Sequence, residues 1–454
     1  MEWKDEIEKM FKDITDMTPE AFRASVKPML REAAEKTARL RNSGWVEKDD
    51  LLSALFEITP DAFKPTVVAD LKSIGIDTDK YIKLSEERQK FEKTWDEIQG
   101  AFLPGVYHFT VYLTDRCNQK CLHCGATVIE KRPEFSTEKW IEIIEDVEQT
   151  LRKRGRRGCY IWFGGEPTLR KDLKDLIKWA GDKGYYQAIS TNGMLYNEEL
   201  AKLCAEVKMS HTFISFDSFI PERANKIRGV PKAYEGAKNA IDLALKYGHF
   251  VICTATVQKE NLDELESIKT KMEEWGVIPY FRAIIKQRTA DKNWDQIGLD
   301  YDEYRQFYDF KYKMVVQAVR DGKASSLNKF YTYDMVPFME CPQTLEERTA
   351  LEWGVGCQAC RSVSGIDTNG DFFPCDYPSN LTLGNLAEQS FEEIMESQLF
   401  KDIRDRKRKG KCATCHHLEM CGGGCRCHAE NATGDFFESF PFCWHEDDHK
   451  HENC

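Results

Sequence analysis

Apolar positions in the first hundred residues recur at helical spacing. Phe22, Val26 and Leu30 fall on one face of a predicted helix, and Phe63, Val67 and Leu71 repeat the pattern. Each run opens on a similar phrase, Thr18-Pro19-Glu20-Ala21-Phe22-Arg23 and Thr59-Pro60-Asp61-Ala62-Phe63-Lys64. Thr is expected at each N-cap, Pro at the first helical position and an acid in the first turn. From about residue 105 the texture changes. Short β-rich runs at 107–113, 159–163, 187–190, 212–216, 251–256 and 279–285 alternate with helix-period segments at 137–152, 171–183, 197–206, 232–247 and 262–275. Six β/α repeats predict an α/β fold with a parallel sheet and chemistry on the loops after the strand ends. Residues 290–335 read as a helical bridge, and 336–454 as cysteine-rich and strand-poor. The expected parts are a helical module (1–100), a β/α core (105–325) and a C-terminal domain (336–454).

A chain of 454 residues has room for two or three such domains. Its net charge of −12 argues against a nucleic-acid partner. No apolar run approaches the length of a membrane span, and the N-terminus is charged rather than signal-like, so a cytoplasmic protein is expected. Seventeen cysteines without an export signal point to metal rather than disulfides.

Cys117, Cys121 and Cys124 form C-x3-C-x2-C, three thiols for a site that wants four ligands. Three in one loop suggest an iron–sulfur cubane with one iron left for a ligand that is not protein; a zinc loop is the alternative on spacing alone. The triplet follows the first predicted strand, and Gly164-Gly165-Glu166-Pro167 follows the second. Glycine there lets backbone approach a ligand closely, and the carboxylate can accept from an ammonium group. Ser190-Thr191-Asn192-Gly193 follows the third strand, Ser215-Phe216-Asp217 the fourth, and Arg228-Gly229 comes next. Ser190 and Asn192 would equally serve as turn residues.

Together these segments resemble the radical S-adenosylmethionine (SAM) superfamily. The resemblance implies a partial (β/α)6 TIM-like barrel and a [4Fe–4S] cluster on Cys117, Cys121 and Cys124 whose open iron binds SAM. It implies that Gly164, Gly165 and Glu166 meet the SAM amino group, that Ser190 and Asn192 contact SAM, and that Ser215 and Asp217 lie near its ribose or carboxylate. Arg228 would pair with the methionine carboxylate and His123 would pack near adenine. Reductive cleavage of SAM to a 5′-deoxyadenosyl radical would follow, with flavodoxin or ferredoxin as electron donor.

The later cysteines run Cys357, Cys360, Cys375, Cys412, Cys415, Cys421, Cys425 and Cys443, with Gly370 between the second and third. This spacing resembles the SPASM extension of peptide-modifying radical SAM enzymes. The resemblance implies two auxiliary [4Fe–4S] clusters, one on Cys357, Cys360, Cys375 and Cys425 and one on Cys412, Cys415, Cys421 and Cys443. Cys341 is an alternative to Cys357, and a zinc ribbon is an alternative for Cys412-x2-Cys415. Gly422-Gly423-Gly424 fits backbone wrapping a cluster, Cys427 reads as a spare, and Cys159, Cys204 and Cys253 as small buried apolar residues. Asp376, directly after Cys375, resembles the base of anaerobic sulfatase-maturating enzymes.

Two surface features stay open. The run Arg152-Lys153-Arg154-Gly155-Arg156-Arg157 reads as a solvated helix end or a docking patch for an acidic donor, and the tail with His445, His449 and His451 as a solvated end or an opportunistic metal site. The helical module is either a structural cap or a docking domain. Three functions fit: oxidative modification of a peptide or protein, oxidation or decarboxylation of a small molecule such as a tetrapyrrole, and a non-catalytic iron–sulfur carrier.

Overall fold

The alternating segments form one parallel sheet. The computed structural model describes residues 2–18, 20–40, 45–59, 63–79, 106–126, 133–320, 356–377, 380–415 and 418–443. In the core, β3 (Val106–Tyr112), β4 (Arg157–Phe163), β5 (Tyr186–Thr191), β6 (His211–Ser215), β7 (Val251–Val257) and β8 (Ile278–Ala283) pair in sequence order, all parallel. A helix connects each of these strands to the next, as parallel pairing requires. Alternation sorts the side chains by face. Phe109, Tyr160, Trp162, Ile214 and Phe281 are buried on one face. On the other, Phe163, Ser190, Phe213, Ser215, Thr254 and Arg282 are only half-buried, which marks the open inner face of a partial barrel.

The C-terminal region departs from the strand-poor expectation. Val363–Ile366 (β9) pairs parallel to the free edge of β3, with His108 opposite Val363 and Val111 opposite Ile366. Asp371–Phe373 (β10) and Gly384–Asn385 (β11) continue the sheet antiparallel, giving nine strands. At two to four residues, with a glycine inside β9, these strands are too short to show a period.

The basic run finds partners within the fold, although the Arg152 and Lys153 side chains stay more than half exposed. Arg152 bonds Glu148, Lys153 reaches Glu392, and Arg154 meets Glu392 and Glu396. Arg156 donates to the Arg361 carbonyl, and Arg157 donates to the Gly184 carbonyl and lies 3.7 Å from Glu148. Three of these five cations thus tie the first core helix to the C-terminal region. Beneath them Glu148 is buried, accepting from the Gly158 amide at 2.9 Å and the Tyr160 hydroxyl at 3.1 Å.

The N-terminal unit is a true repeat. Glu2–Trp3 (β1) and Trp45–Val46 (β2) pair in parallel, each followed by a helix (Asp5–Met17; Lys48–Ile58) and then another (Glu20–Leu40; Lys64–Ser73). Ile7, Phe11, Ile14, Leu30, Leu51, Leu55 and Leu71 share its core. The two threonines act differently from the N-cap expectation: Thr18 and Thr59 donate backward to the carbonyls of Ile14 and Leu55, closing the helix before them. Phe63 is 57% exposed and precedes the fourth helix instead of joining its buried stripe.

Candidate active site

Beyond β3 the chain enters the Cys117–Cys124 loop, and three neighbours grip it. The segment after β4 runs beside it, with the Gly165 amide on the Thr114 carbonyl (2.7 Å) and the Glu166 amide on the Arg116 carbonyl (2.8 Å). A Cβ at Gly164 would lie 2.4 Å from the Thr114 carbonyl oxygen, and one at Gly165 2.2 Å from that of Arg116. These glycines admit close approach to protein backbone. The helix Pro221–Arg228 supplies the second grip. Its last carbonyls, Ile227 and Arg228, lack helical partners and accept the Leu122 (2.9 Å) and Lys120 (3.1 Å) amides of the loop. Gly229 ends that helix with φ +66°, and a Cβ there would sit 2.3 Å from the Lys120 oxygen. The third is Asn192, whose Nδ2 donates to Asn118 Oδ1 at 2.7 Å and lies 3.9 Å from Cys117 Sγ.

The segments at the strand ends converge here and bind one another. Glu166 is buried; its Oε1 accepts from the Thr168 and Thr191 hydroxyls and the Thr168 amide, and Oε2 from the Asn192 amide at 2.7 Å. Four bonds leave Oε2 one further acceptor direction. Burial raises the Glu166 carboxyl despite these donors. Asp217 Oδ1 accepts the Thr256 amide, and its Oδ2 lies 2.5 Å from Arg228 Nε. Arg228 Nη1 lies 3.9 Å from Cys121 Sγ, so its guanidinium faces a thiol and an acid of the protein. His123 touches Gln258 through Nδ1, and burial lowers it to about 4. Ser190 and Ser215 stand on the half-buried inner face.

Cys117, Cys121 and Cys124 lie close enough to influence each other's charge. Burial pushes the Cys121 thiol up to about 12, while Arg228 opposes it. The Gln119 amide points at Cys117 Sγ from 3.4 Å. Three sulfurs flanked by a cation and N–H donors fit a cluster ligated by thiolates with one position open.

The later cysteines fall into two groups. Cys357, Cys375 and Cys425 line one cavity with Tyr377 and Arg426. Cys360 is buried near Cys357 and Cys375. Cys427, read from sequence as a spare, sits within hydrogen-bond reach of Cys375 and Cys425 and belongs to this group. In the second group Cys421 neighbours Cys412 and Cys443, and Cys415 shares a turn with Cys412. Gly422, Gly423 and Gly424 join the groups, all at φ near +70°; Cβ atoms there would meet the Cys357 backbone, Arg408 and Phe440. Their close contacts are again with protein. Cys159, Cys204 and Cys253 are buried. Cys341 and the tail histidines His445, His449 and His451 lie outside the described residues.

Asp376 joins the two halves of the site. Its Oδ2 pairs with Arg282 Nη1 at 2.7 Å, Oδ1 accepts from the Cys375 thiol at 3.0 Å, and its carbonyl accepts the Tyr112 hydroxyl at 2.8 Å. Burial raises this carboxyl, but Arg282 and the Cys375 contact together bring it below its ordinary value. Arg282 stacks 3.8 Å over the Tyr377 ring. Nearby, Thr368 donates to Asp115, two residues before Cys117. Sequence reasoning missed Arg282 and Tyr112. A single arginine within an apolar strand was the available signal for the first, since strand interiors do not keep unpaired cations.

Residues 111–271 match the model of the radical SAM superfamily, and residues 357–416 match SPASM, an iron–sulfur cluster-binding domain. The chain carries a radical SAM domain and a SPASM domain. These make it an enzyme with a SAM-binding [4Fe–4S] cluster and auxiliary clusters. It is 26% identical over 341 residues to an AdoMet-dependent heme synthase of Methanosarcina barkeri, covering 73% of this chain and 94% of that protein. It is 25% identical over 320 residues to the mycofactocin maturase MftC of Mycolicibacterium smegmatis, covering 69% and 76%. The structure of native anSMEcpe with bound AdoMet shares the fold at TM-score 0.55 and 18% identity, covering 74% of this chain and 94% of that one. Among the described residues of this radical SAM chain, no helix is long and apolar enough to cross a membrane.

Proposed function

We propose that this radical SAM enzyme oxidises a substrate bound on the inner barrel face, and that Asp376 takes the proton released. The observation that carries this reading is the Asp376–Arg282 pair, which lies on the inner face and directly follows Cys375. When bound, a reduced [4Fe–4S] cluster supplies the electron that splits SAM and so allows hydrogen to be taken from an unactivated carbon. The thiols Cys117, Cys121 and Cys124 would hold the cluster, and the Glu166, Asn192 and Arg228 grips fix their loop. Cys357, Cys360, Cys375 and Cys425 would hold one auxiliary cluster, and Cys412, Cys415, Cys421 and Cys443 another. Asp376 stays ionised beside Arg282. Losing the Cys375 thiol proton on ligation frees Oδ1 as an acceptor. A weakly basic carboxylate suffices, because a carbon that has lost an electron sheds a proton readily.

The substrate reading that best fits is a tetrapyrrole or a similar carboxylated cofactor precursor. The likeness to the heme synthase, which spans 94% of that protein, favours it. The likeness to MftC favours the second reading, a peptide or protein side chain. Reconstituted, reduced enzyme is given SAM with either a porphyrin deuterated on its side chains or a deuterated candidate peptide. Deuterium in 5′-deoxyadenosine from the porphyrin supports the first reading, and from the peptide alone the second. No 5′-deoxyadenosine under any condition overturns both. D376N is expected to form 5′-deoxyadenosine normally yet lose product about 10²-fold.

A further inference from the structure

Among the described residues, no carboxylate answers the charge of Arg426. Its side chain is 2% exposed. Its guanidinium donates to the carbonyls of Lys407 (2.9 Å), Phe436 (3.4 Å) and Ile403 (3.5 Å) and lies 5.6 and 5.3 Å from the ring centres of Phe436 and Phe437. No carboxylate stands among its described partners. Near it lies a second cation, the Arg408 guanidinium, also buried and spent on the carbonyls of Gly422, Gly424 and Glu438. Carbonyl dipoles and ring faces soften a buried cation without neutralising it.

The neighbours that can neutralise it are thiols. Arg426 adjoins Cys357 and Cys360, and it lines the same cavity as Cys357, Cys375 and Cys425. A [4Fe–4S] cluster on four thiolates is a net anion, and it gains a further negative charge on reduction. We propose that the Arg426 guanidinium is the buried counter-ion of the auxiliary cluster held by Cys357, Cys360, Cys375 and Cys425, and that it raises this cluster's reduction potential. A fixed cation favours the more negative, reduced state, which suits a cluster that must accept an electron from a substrate radical. Arg426 touches no reacting atom on this account; it is a positioning and tuning residue.

The inference rests on the assignment of those four cysteines, so the test separates the two. In full-length, anaerobically reconstituted protein, C375A must lower the iron count by about one cluster; an unchanged count overturns the ligand assignment whatever Arg426 does. Redox titration followed by electron paramagnetic resonance is then run on wild type, R426K and R426Q. The expected result is a downward shift of one cluster's potential in R426Q, the other potentials staying in place, and a potential close to wild type in R426K. An unmoved potential in R426Q overturns the proposal, and so does an equal shift in both variants, which would mark shape rather than charge. If R426Q loads less iron, the iron-free proteins decide. Iron-free R426Q melting where iron-free wild type melts supports a counter-ion needed only by the cluster. A lower melting temperature without iron marks a packing residue and overturns it.

Discussion

At Gly229 one missing side chain serves two purposes. Its φ of +66° lies where glycine is favoured, and the Lys120 carbonyl occupies the space a Cβ would take. G229A is therefore expected to cost roughly 1–3 kcal/mol of stability and to loosen the cluster loop. Iron analysis and denaturant unfolding of the variant check this, with loss of about one cluster's iron expected. The sequence pointed to the position without assigning its purpose. Glycine is selected by a positive φ, by an approach to protein and by an approach to ligand, and a one-letter code cannot separate the three. The same ambiguity held at Gly164, Gly165 and the Gly422–Gly424 turn. The cysteine spacings were legible because thiol ligation leaves few substitutes. Arg282 and Arg426 were not, because what makes each informative is the company it keeps across the fold.

Elements show the same divide between local and distant causes. The six strands and five helices of the core appeared in sequence because each carries its own period, and two of the helices their own caps, Ser136 accepting the Lys139 amide and Asn197 the Leu200 amide. The destination of the basic run did not, since Glu392 and Glu396 lie 238 and 242 residues downstream of Arg154. Its members differ in weight. Arg154 pairs with acids that are roughly half exposed, so R154A is expected to change stability by no more than about 1 kcal/mol. Glu148 is buried, and E148A strands the Gly158 amide and the Tyr160 hydroxyl, at an expected cost of about 1–3 kcal/mol for each. Urea unfolding of the two variants should separate them clearly; similar losses would mean that the run's exposed pairs matter more than burial allows.

For the whole molecule, buried histidines set an acid limit. Burial lowers His428 to about 3 and His123 to about 4, and it depresses His211 and His249 as well. An unfolded histidine titrates near 6.5. Below that pH the unfolded chain binds protons that the folded one refuses, so stability is complete above about 6.5 and falls as pH drops toward the folded values. Each such group contributes a slope approaching about 1.4 kcal/mol per pH unit within its window. His428 packs edge-on against Tyr304, Phe440 and Phe442, so H428F should fold and show a shallower fall. Melting temperatures of the iron-free proteins between pH 7.5 and 5.5, roughly the upper part of that window, test this. Parallel curves would remove His428 from the account.

The pairing of β9 with β3 also sets a clock. Tyr107 and Ser364, hydrogen-bonded across that pair, stand 257 positions apart in the chain. At roughly 5–20 residues per second, a ribosome needs on the order of ten to fifty seconds to travel from one to the other. During that interval β3 is an edge strand with a row of unclaimed amides and carbonyls, the kind of template on which nascent chains stick together. The three cysteines that hang from its end are translated early, on a sheet that cannot close until the last quarter of the protein emerges. Synthesis order thus exposes the cluster loop before its sheet is complete, and it favours a cell that keeps both oxygen and neighbouring chains away while the ribosome finishes.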